Sequence, residues 1–312
     1  MTTKILLTGG AGYLGSVLVD HLLRRGYQVT VLDSLLYGHA SLLGYCRDPR
    51  FEFVLGDARD ERVLRELVPK HDVLIPLAAI VGMKACDRDP LMARSVNLEA
   101  IVLLNRLRAA SQPVILPNTN SGYGTQSGDL YCTEETPLEP ISLYGRTKVD
   151  AERRVLESPN AITLRLATVF GASPRMRLDL LVNHFVHAAV TDRYLVIFEK
   201  DFKRNFIHVR DVADCFAHCL ANGARMAGRA YNAGLDAANV SKEELALLVQ
   251  QQVPGFHVVF SEIGSDPDKR NYVVSNQRLR EAGFEARRSL EDGIAELLRA
   301  YRMLPLGAFR NA

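Results

Sequence analysis

Lys4-Ile5-Leu6-Leu7-Thr8, followed at once by Gly9-Gly10-Ala11-Gly12-Tyr13-Leu14-Gly15, is the stretch on which the fold turns. The apolar run reads as a short buried strand, and Leu14, Val17, Leu18 and Leu22 then recur at helical spacing. Between strand and helix, Gly10, Gly12 and Gly15 satisfy G-x-G-x-x-G. Glycine permits the tight turn and lets backbone N–H groups approach a pyrophosphate at the positive end of the helix dipole. Alone, such a turn can be only a turn; its place after a strand and before a helix is what points to a dinucleotide. Eighteen residues after Gly15, where a second strand ends, stands Asp33. A carboxylate there accepts hydrogen bonds from both ribose hydroxyls and repels a 2′-phosphate, which favours NAD over NADP.

Outward from this stretch the same rhythm continues. Gln28 to Leu32, Phe51 to Leu55, Val73 to Ile75, Val114 to Leu116 and Ile162 to Leu166 read as strands, and Leu91 to Ala110 as a helix. Such βαβ alternation predicts an α/β fold: a Rossmann-type, doubly wound parallel sheet whose ligands bind beyond the carboxyl ends of the strands. Past Gly171 the rhythm changes, with a helix expected over Arg177 to Val190, an extended run over Tyr194 to Phe198, and a helix to Gln252 capped by Ser241 and Glu244. The expected division is a dinucleotide domain over residues 1–170, to which later segments return, and a smaller mixed α/β substrate lobe over 171–312.

Composition narrows the function. The chain of 312 residues is 47% hydrophobic, with 38 basic against 36 acidic side chains and no Trp. That balance gives nucleic acid no basic face to bind, and no window is apolar enough to cross a bilayer. The first residues lack the regions of a secretion signal, and the five cysteines contain no Cys-x-x-Cys, so a cytoplasmic protein with reduced thiols and no metal is expected.

A second constellation is Tyr144-Gly145-Arg146-Thr147-Lys148. Residues four apart share a helix face, which predicts the Lys148 ammonium beside the Tyr144 phenol. A free phenol titrates near pH ~10, so a base working near neutrality needs roughly 4 kcal/mol of help, which Lys148 and a cationic nicotinamide could supply. Taken singly, the pattern is as consistent with a solvated helix face.

Both motifs and the element order between them resemble the extended short-chain dehydrogenase/reductase family, with its nucleotide-sugar epimerases, dehydratases and reductases. The resemblance also rests on Gly56-Asp57, Leu77-Ala78-Ala79, Asn97, Asn118-Thr119-Asn120-Ser121-Gly122-Tyr123-Gly124, Arg165 to Gly171 and Arg204 to Asp211. It implies that Tyr144 takes the proton of a sugar hydroxyl, that Lys148 holds the nicotinamide ribose, and that Thr119 hydrogen-bonds the reacting oxygen, with Ser121 as its local competitor. It further implies NAD contacts from Gly9, Gly12, Tyr13, Leu14, Gly15, Asp33, Asp57, Ala58, Leu77, Ala78, Ala79, Asn97 and Lys148. The nucleotide sugar would fall to Thr119, Asn183, Arg177, Arg204 and Arg270, and a homodimer would form through the Tyr144 helix and the Leu91 to Ala110 helix. Val149, Val155, Leu103 and Leu107 on those helices can equally face the sheet.

Family members that dehydrate a sugar carry Asp-Glu after the loop hydroxyl; here Asn120 and Ser121 stand there, which argues against 4,6-dehydration. Thr168 replaces a substrate-contacting Asn. A 4-keto sugar must then be released, giving a 4-dehydrogenase, or reduced on its other face, giving an epimerase; a catalytically silent NAD-binding regulator is a third reading. Pro117 to Gly124, Arg165 to Asn183 and Asp266 to Asn276 are similar to bacterial GDP-manno-heptose 4-dehydrogenases of capsule biosynthesis. Arg175 and Arg177 in that run can address the sugar or diphosphate, or cap a helix. His184 and His187 lack a third ligand, His208 reads as a core histidine, and Cys215 with Cys219 as packing.

Overall fold

Successive side chains of a strand point to opposite faces, so an apolar run such as Ile5-Leu6-Leu7 needs cover on both sides. The computed structural model, which describes residues 2–38, 40–126, 131–265 and 270–304, supplies that cover. Ile5 and Leu7 pack with Val17, Leu18 and Leu22 of the helix Tyr13–Arg24. Leu6 packs from the other side with Leu64, Leu104, Ala151 and Val155.

Numbered along the chain, the main sheet comprises β1 (Lys4–Thr8), β2 (Gln28–Asp33), β3 (Phe51–Leu55), β4 (Val73–Pro76), β5 (Val114–Thr119), β6 (Ala161–Leu166) and β7 (Arg229–Ala233). All seven are parallel, in the order 3-2-1-4-5-6-7. This is the Rossmann-type doubly wound arrangement, and its order reverses between β1 and β4. A crevice opens there, at the carboxyl ends of the strands.

The chain leaves this sheet after β6 and returns to add β7. Between the two, Thr168–Phe170 and Lys203–His208 pair in parallel, and Asn239–Ser241 then pairs antiparallel with Lys203–His208. The helices Leu181–Thr191 and Lys242–Gln252 cover this lobe, the latter with the expected capping box of Ser241 and Glu244. Phe170, Phe185, Phe206, Leu245 and Ile294 join the same apolar cluster as Ile5 and Leu7, so one continuous core ties the lobe to the sheet. A shared core resists relative movement of its two halves.

Two expected elements differ in outline. The helix expected from Arg177 begins only at Leu181, because Arg177 pairs with Asp179 and Leu180 is extended at the N-cap. The run from Leu91 is helical from Pro90 to Leu107 but widens to a π turn over Ser95–Glu99, which carries Asn97. Val155, Leu103 and Leu107 pack toward the sheet, and Val149 is buried against Gly122, so these residues say nothing for a second subunit. Among the described residues, no helix is long and apolar enough to cross a membrane.

Candidate functional site

A cavity of about 1200 Å³ lies along the crevice, lined by the glycine turn, the ends of β2, β4 and β5, the start of the Tyr144 helix, and Arg175, Arg177, Arg204 and Arg270. It exceeds the usual range for one small ligand, about 300–1,000 Å³.

The glycine turn is shaped for close approach. Gly9 has φ +74°, and a Cβ there would lie 2.5 Å from the Ala78 nitrogen. At Gly15 a Cβ would meet the Gly10 carbonyl oxygen at 2.6 Å. Gly12 is the N-cap of the helix Tyr13–Arg24, whose first turn carries no acidic residue. A phosphate therefore meets backbone donors and a positive helix end with nothing negative in the way. Asp33 is held by the backbone N–H groups of Ala11, at 2.9 Å, and Leu35, at 2.8 Å. Each carboxylate oxygen keeps a lone pair for a ribose hydroxyl. Gly9, Gly12, Tyr13, Leu14, Gly15, Asp33, Asp57, Ala58, Leu77, Ala78 and Ala79 all line the cavity.

Two expected contacts sit behind the wall. Asn97 is fully buried, its amide donating to the Ile80 carbonyl at 2.9 Å and accepting from the Ile80 N–H at 2.8 Å. Asn183 accepts from Gly171 N–H at 3.1 Å and donates to the Arg177 carbonyl at 2.9 Å and the Tyr13 hydroxyl at 3.3 Å. Both brace cavity loops, since their amide groups are already used internally.

The opposite wall gathers the reactive groups. Ser142 caps the helix Leu143–Leu156 by accepting the Gly145 N–H at 3.1 Å, which sets Tyr144 in the first turn. The Thr119 hydroxyl, at the end of β5, donates to the Ser121 hydroxyl at 2.9 Å and accepts the Ser121 N–H at 3.1 Å, and it lines the cavity together with Tyr144. Arg270 donates to Ser121 from the far side; residues 266–269 of its motif lie outside the described residues. Burial pushes the Tyr144 phenol above its ordinary value, while the charges of Arg177 and Arg270 and the nearby Thr119 hydroxyl pull it down. The cations acting most strongly on the phenol thus come from distant segments.

Lys148 departs from expectation. One turn along the helix from Tyr144, the residue is 3% exposed and its ammonium donates to the Pro117 carbonyl at 2.6 Å, not to the phenol. Burial pulls it down to about 8, against Glu152, which raises it. Below pH 8 the folded protein keeps a desolvated cation that the unfolded chain solvates freely. Above that the folded state sheds the proton while the unfolded chain holds it until about 10.4. Stability should therefore rise between about pH 8 and 10, by roughly 3 kcal/mol in total, and Lys148→Met should flatten that rise. Urea unfolding across this range measures it; identical slopes in both proteins would contradict the assignment.

Of the arginines, Arg177 pairs with Asp179, its Nε at 3.1 Å, and Arg204 lies over the Tyr272 ring at 5.6 Å. His184 and His187 also line the cavity, and no described cluster of His, Cys, Asp or Glu could hold a metal ion. His208 is the N-cap of the helix Val209–Met226, and Cys215 and Cys219 are buried in the core. Sequence reading passed over Glu152, which lies one turn beyond Lys148. Its carboxylate binds Arg165 at 2.7 Å, Asn118 at 2.6 Å and Thr163 at 3.0 Å. A buried acid four residues from the lysine was the available signal.

A family model described as "NAD dependent epimerase/dehydratase family" matches residues 5–234. The chain belongs to that family. It is 31% identical to the UDP-glucose 4-epimerase of Mycolicibacterium smegmatis over 96% of this chain and 98% of that protein. With a dTDP-glucose 4,6-dehydratase of an Actinoplanes species it shares 29% identity over 96% and 98%. The crystal structure of DesIV, a dTDP-glucose 4,6-dehydratase from Streptomyces venezuelae with NAD bound, superposes with a TM-score of 0.83 at 26% identity, covering 96% of this chain and 97% of that one. Membership makes the protein an NAD-dependent enzyme, in keeping with its glycine cradle.

Proposed function

We propose that this enzyme oxidises C4 of a nucleotide-activated sugar, with Tyr144 as the general base. The observation that carries the reading is that Thr119 and Tyr144 line the same cavity as the glycine cradle and Asp33. Gly9, Gly12, Gly15 and Asp33 would hold the NAD, which when bound supplies the hydride acceptor. Thr119 holds the sugar hydroxyl oxygen while the Tyr144 phenolate takes its proton. Arg177 and Arg270 stabilise that phenolate, and Lys148, fixed on Pro117, would hold the nicotinamide ribose, as the family resemblance implies. Arg204 and Arg270 suit the nucleotide diphosphate, because guanidinium forks match phosphate oxygens.

The fate of the oxidised sugar depends on residues 120 and 121. Neither Asn120 nor Ser121 can shuttle a proton as a carboxylate does, which argues against 4,6-dehydration even though dehydratases are among the relatives. Release of the keto sugar makes the enzyme a 4-dehydrogenase; return of the hydride to the other face makes it a 4-epimerase, the alternative that the UDP-glucose epimerase relatives favour. A GDP-manno-heptose substrate, with a place in capsule biosynthesis, rests on the motif runs alone, and a cytoplasmic homodimer on the family resemblance. A silent NAD-binding regulator has no use for a buried phenol set beside a threonine hydroxyl in the field of two arginines.

Incubation of the purified enzyme with NAD and GDP-, UDP- or dTDP-sugars, read by NADH absorbance and NMR of the sugar, separates these readings. Accumulating NADH with a 4-keto product marks the dehydrogenase, and an isomer without NADH marks the epimerase. NAD binding with no conversion of any nucleotide sugar would overturn the proposal.

A further inference from the structure

We propose that Arg175 is an anion clamp carried by the second lobe and closed over the pyrophosphate of the dinucleotide. The inference rests on the reading of the cavity as an NAD site. Arg175 lines that cavity yet is only 2% exposed. Its Nη1 donates to the Met176 carbonyl at 3.2 Å, whereas Nε and Nη2 have no hydrogen-bond partner among the described residues. Those two nitrogens form one edge of the guanidinium fork, the edge that takes two oxygens of a phosphate side by side. A buried cation with an unsatisfied bidentate edge is costly unless an anion completes it.

The segment that carries the residue decides which anion that is. The Ser173 hydroxyl donates to the Tyr13 carbonyl at 2.7 Å and lies 3.0 Å from the Ser16 hydroxyl, and Tyr13 donates to the Gly171 carbonyl at 2.7 Å. Residues 171–175 are thereby pinned onto the first turn of the helix after the glycine cradle. The Arg175 guanidinium stacks on the ring of Tyr37, from the segment after β2, at 4.4 Å. It feels the field of Asp33 without forming an ion pair with it. The clamp thus stands between the glycine cradle and the ribose carboxylate, where the pyrophosphate of a dinucleotide must pass. Arg270, by contrast, reaches the cavity at Ser121, beside Thr119.

Calorimetric titration of wild-type enzyme, Arg175→Met and Arg175→Lys with NAD, ADP-ribose, adenosine and UDP tests this. The Met variant should bind NAD and ADP-ribose about tenfold to a hundredfold more weakly, as loss of charge-assisted bonds to phosphate implies, with adenosine and UDP affinities unchanged. The Lys variant, which keeps the charge and loses the fork, should fall between and carries the test if the Met variant melts early. Unchanged NAD affinity overturns the clamp. So does a loss of UDP affinity with NAD binding intact, which moves the cation to the substrate diphosphate, or an equal loss for adenosine, which marks mere local collapse. Failure of the wild-type enzyme to bind NAD refutes the dinucleotide reading itself.

Discussion

Tyr144→Phe should lower kcat by about three orders of magnitude, within the range of 10²–10⁴ for removal of a general base, and leave NAD affinity within about a factor of two. The substitution removes one oxygen and keeps the ring, so the helix start set by Ser142 stays intact. It also isolates the role of the surrounding charges. Burial holds the phenol above its ordinary value and two arginines work against that, so the wild-type rate should climb with pH as the phenol ionises. Arg177→Met should move that rising limb to higher pH, because the strongest opposing field is gone. Stopped-flow single turnovers over a pH series, with NAD titrations alongside, read both effects. A Phe variant that turns over at the wild-type rate ends the assignment of the base. One that loses NAD binding in proportion shows a structural ring instead.

Glu152→Ala should cost about 3–5 kcal/mol of stability, the usual penalty for leaving a buried charge without its partner. Glu152 is 2% exposed and its carboxylate satisfies Arg165, Asn118 and Thr163 at once. Arg165 in turn donates to the Tyr123 hydroxyl at 3.0 Å and to the Glu134 carbonyl at 3.1 Å. The network runs through Asn118, the neighbour of Thr119, so its loss should loosen the hydroxyl that meets Tyr144 and lower kcat as well. Urea unfolding gives the stability, and Glu152→Gln gives the control, since it preserves shape and removes only the charge. An alanine variant within about 1 kcal/mol of wild type would mean that water or a shifted side chain replaces the carboxylate.

Much of the fold was legible from neighbouring residues. The strand and glycine turn from Lys4 to Gly15 come from hydrophobic run length and from φ values that only glycine adopts freely, and both are settled within a dozen positions. The capping box at Ser241 and Glu244 is equally local. Spacing arguments failed where the side chain had a choice of partner. Four residues put Lys148 on the face of Tyr144, yet the ammonium turns to the Pro117 carbonyl, and Asn97 and Asn183 turn inward to backbone groups. Ala151 and Val155 of the Tyr144 helix face the sheet, a preference that amphipathicity alone does not decide.

Sequence by itself thus determined the parallel sheet, the dinucleotide cradle and the residue types available for chemistry, because strand alternation, turn sterics and helix caps act over a few bonds. Tertiary structure alone decided which charges meet. The field on Tyr144 comes from Arg177 and Arg270, and the partners of Glu152 from two other strands. Electrostatic and hydrogen-bond energies depend on distance in space and on burial, and chain closure over scores of residues fixes both.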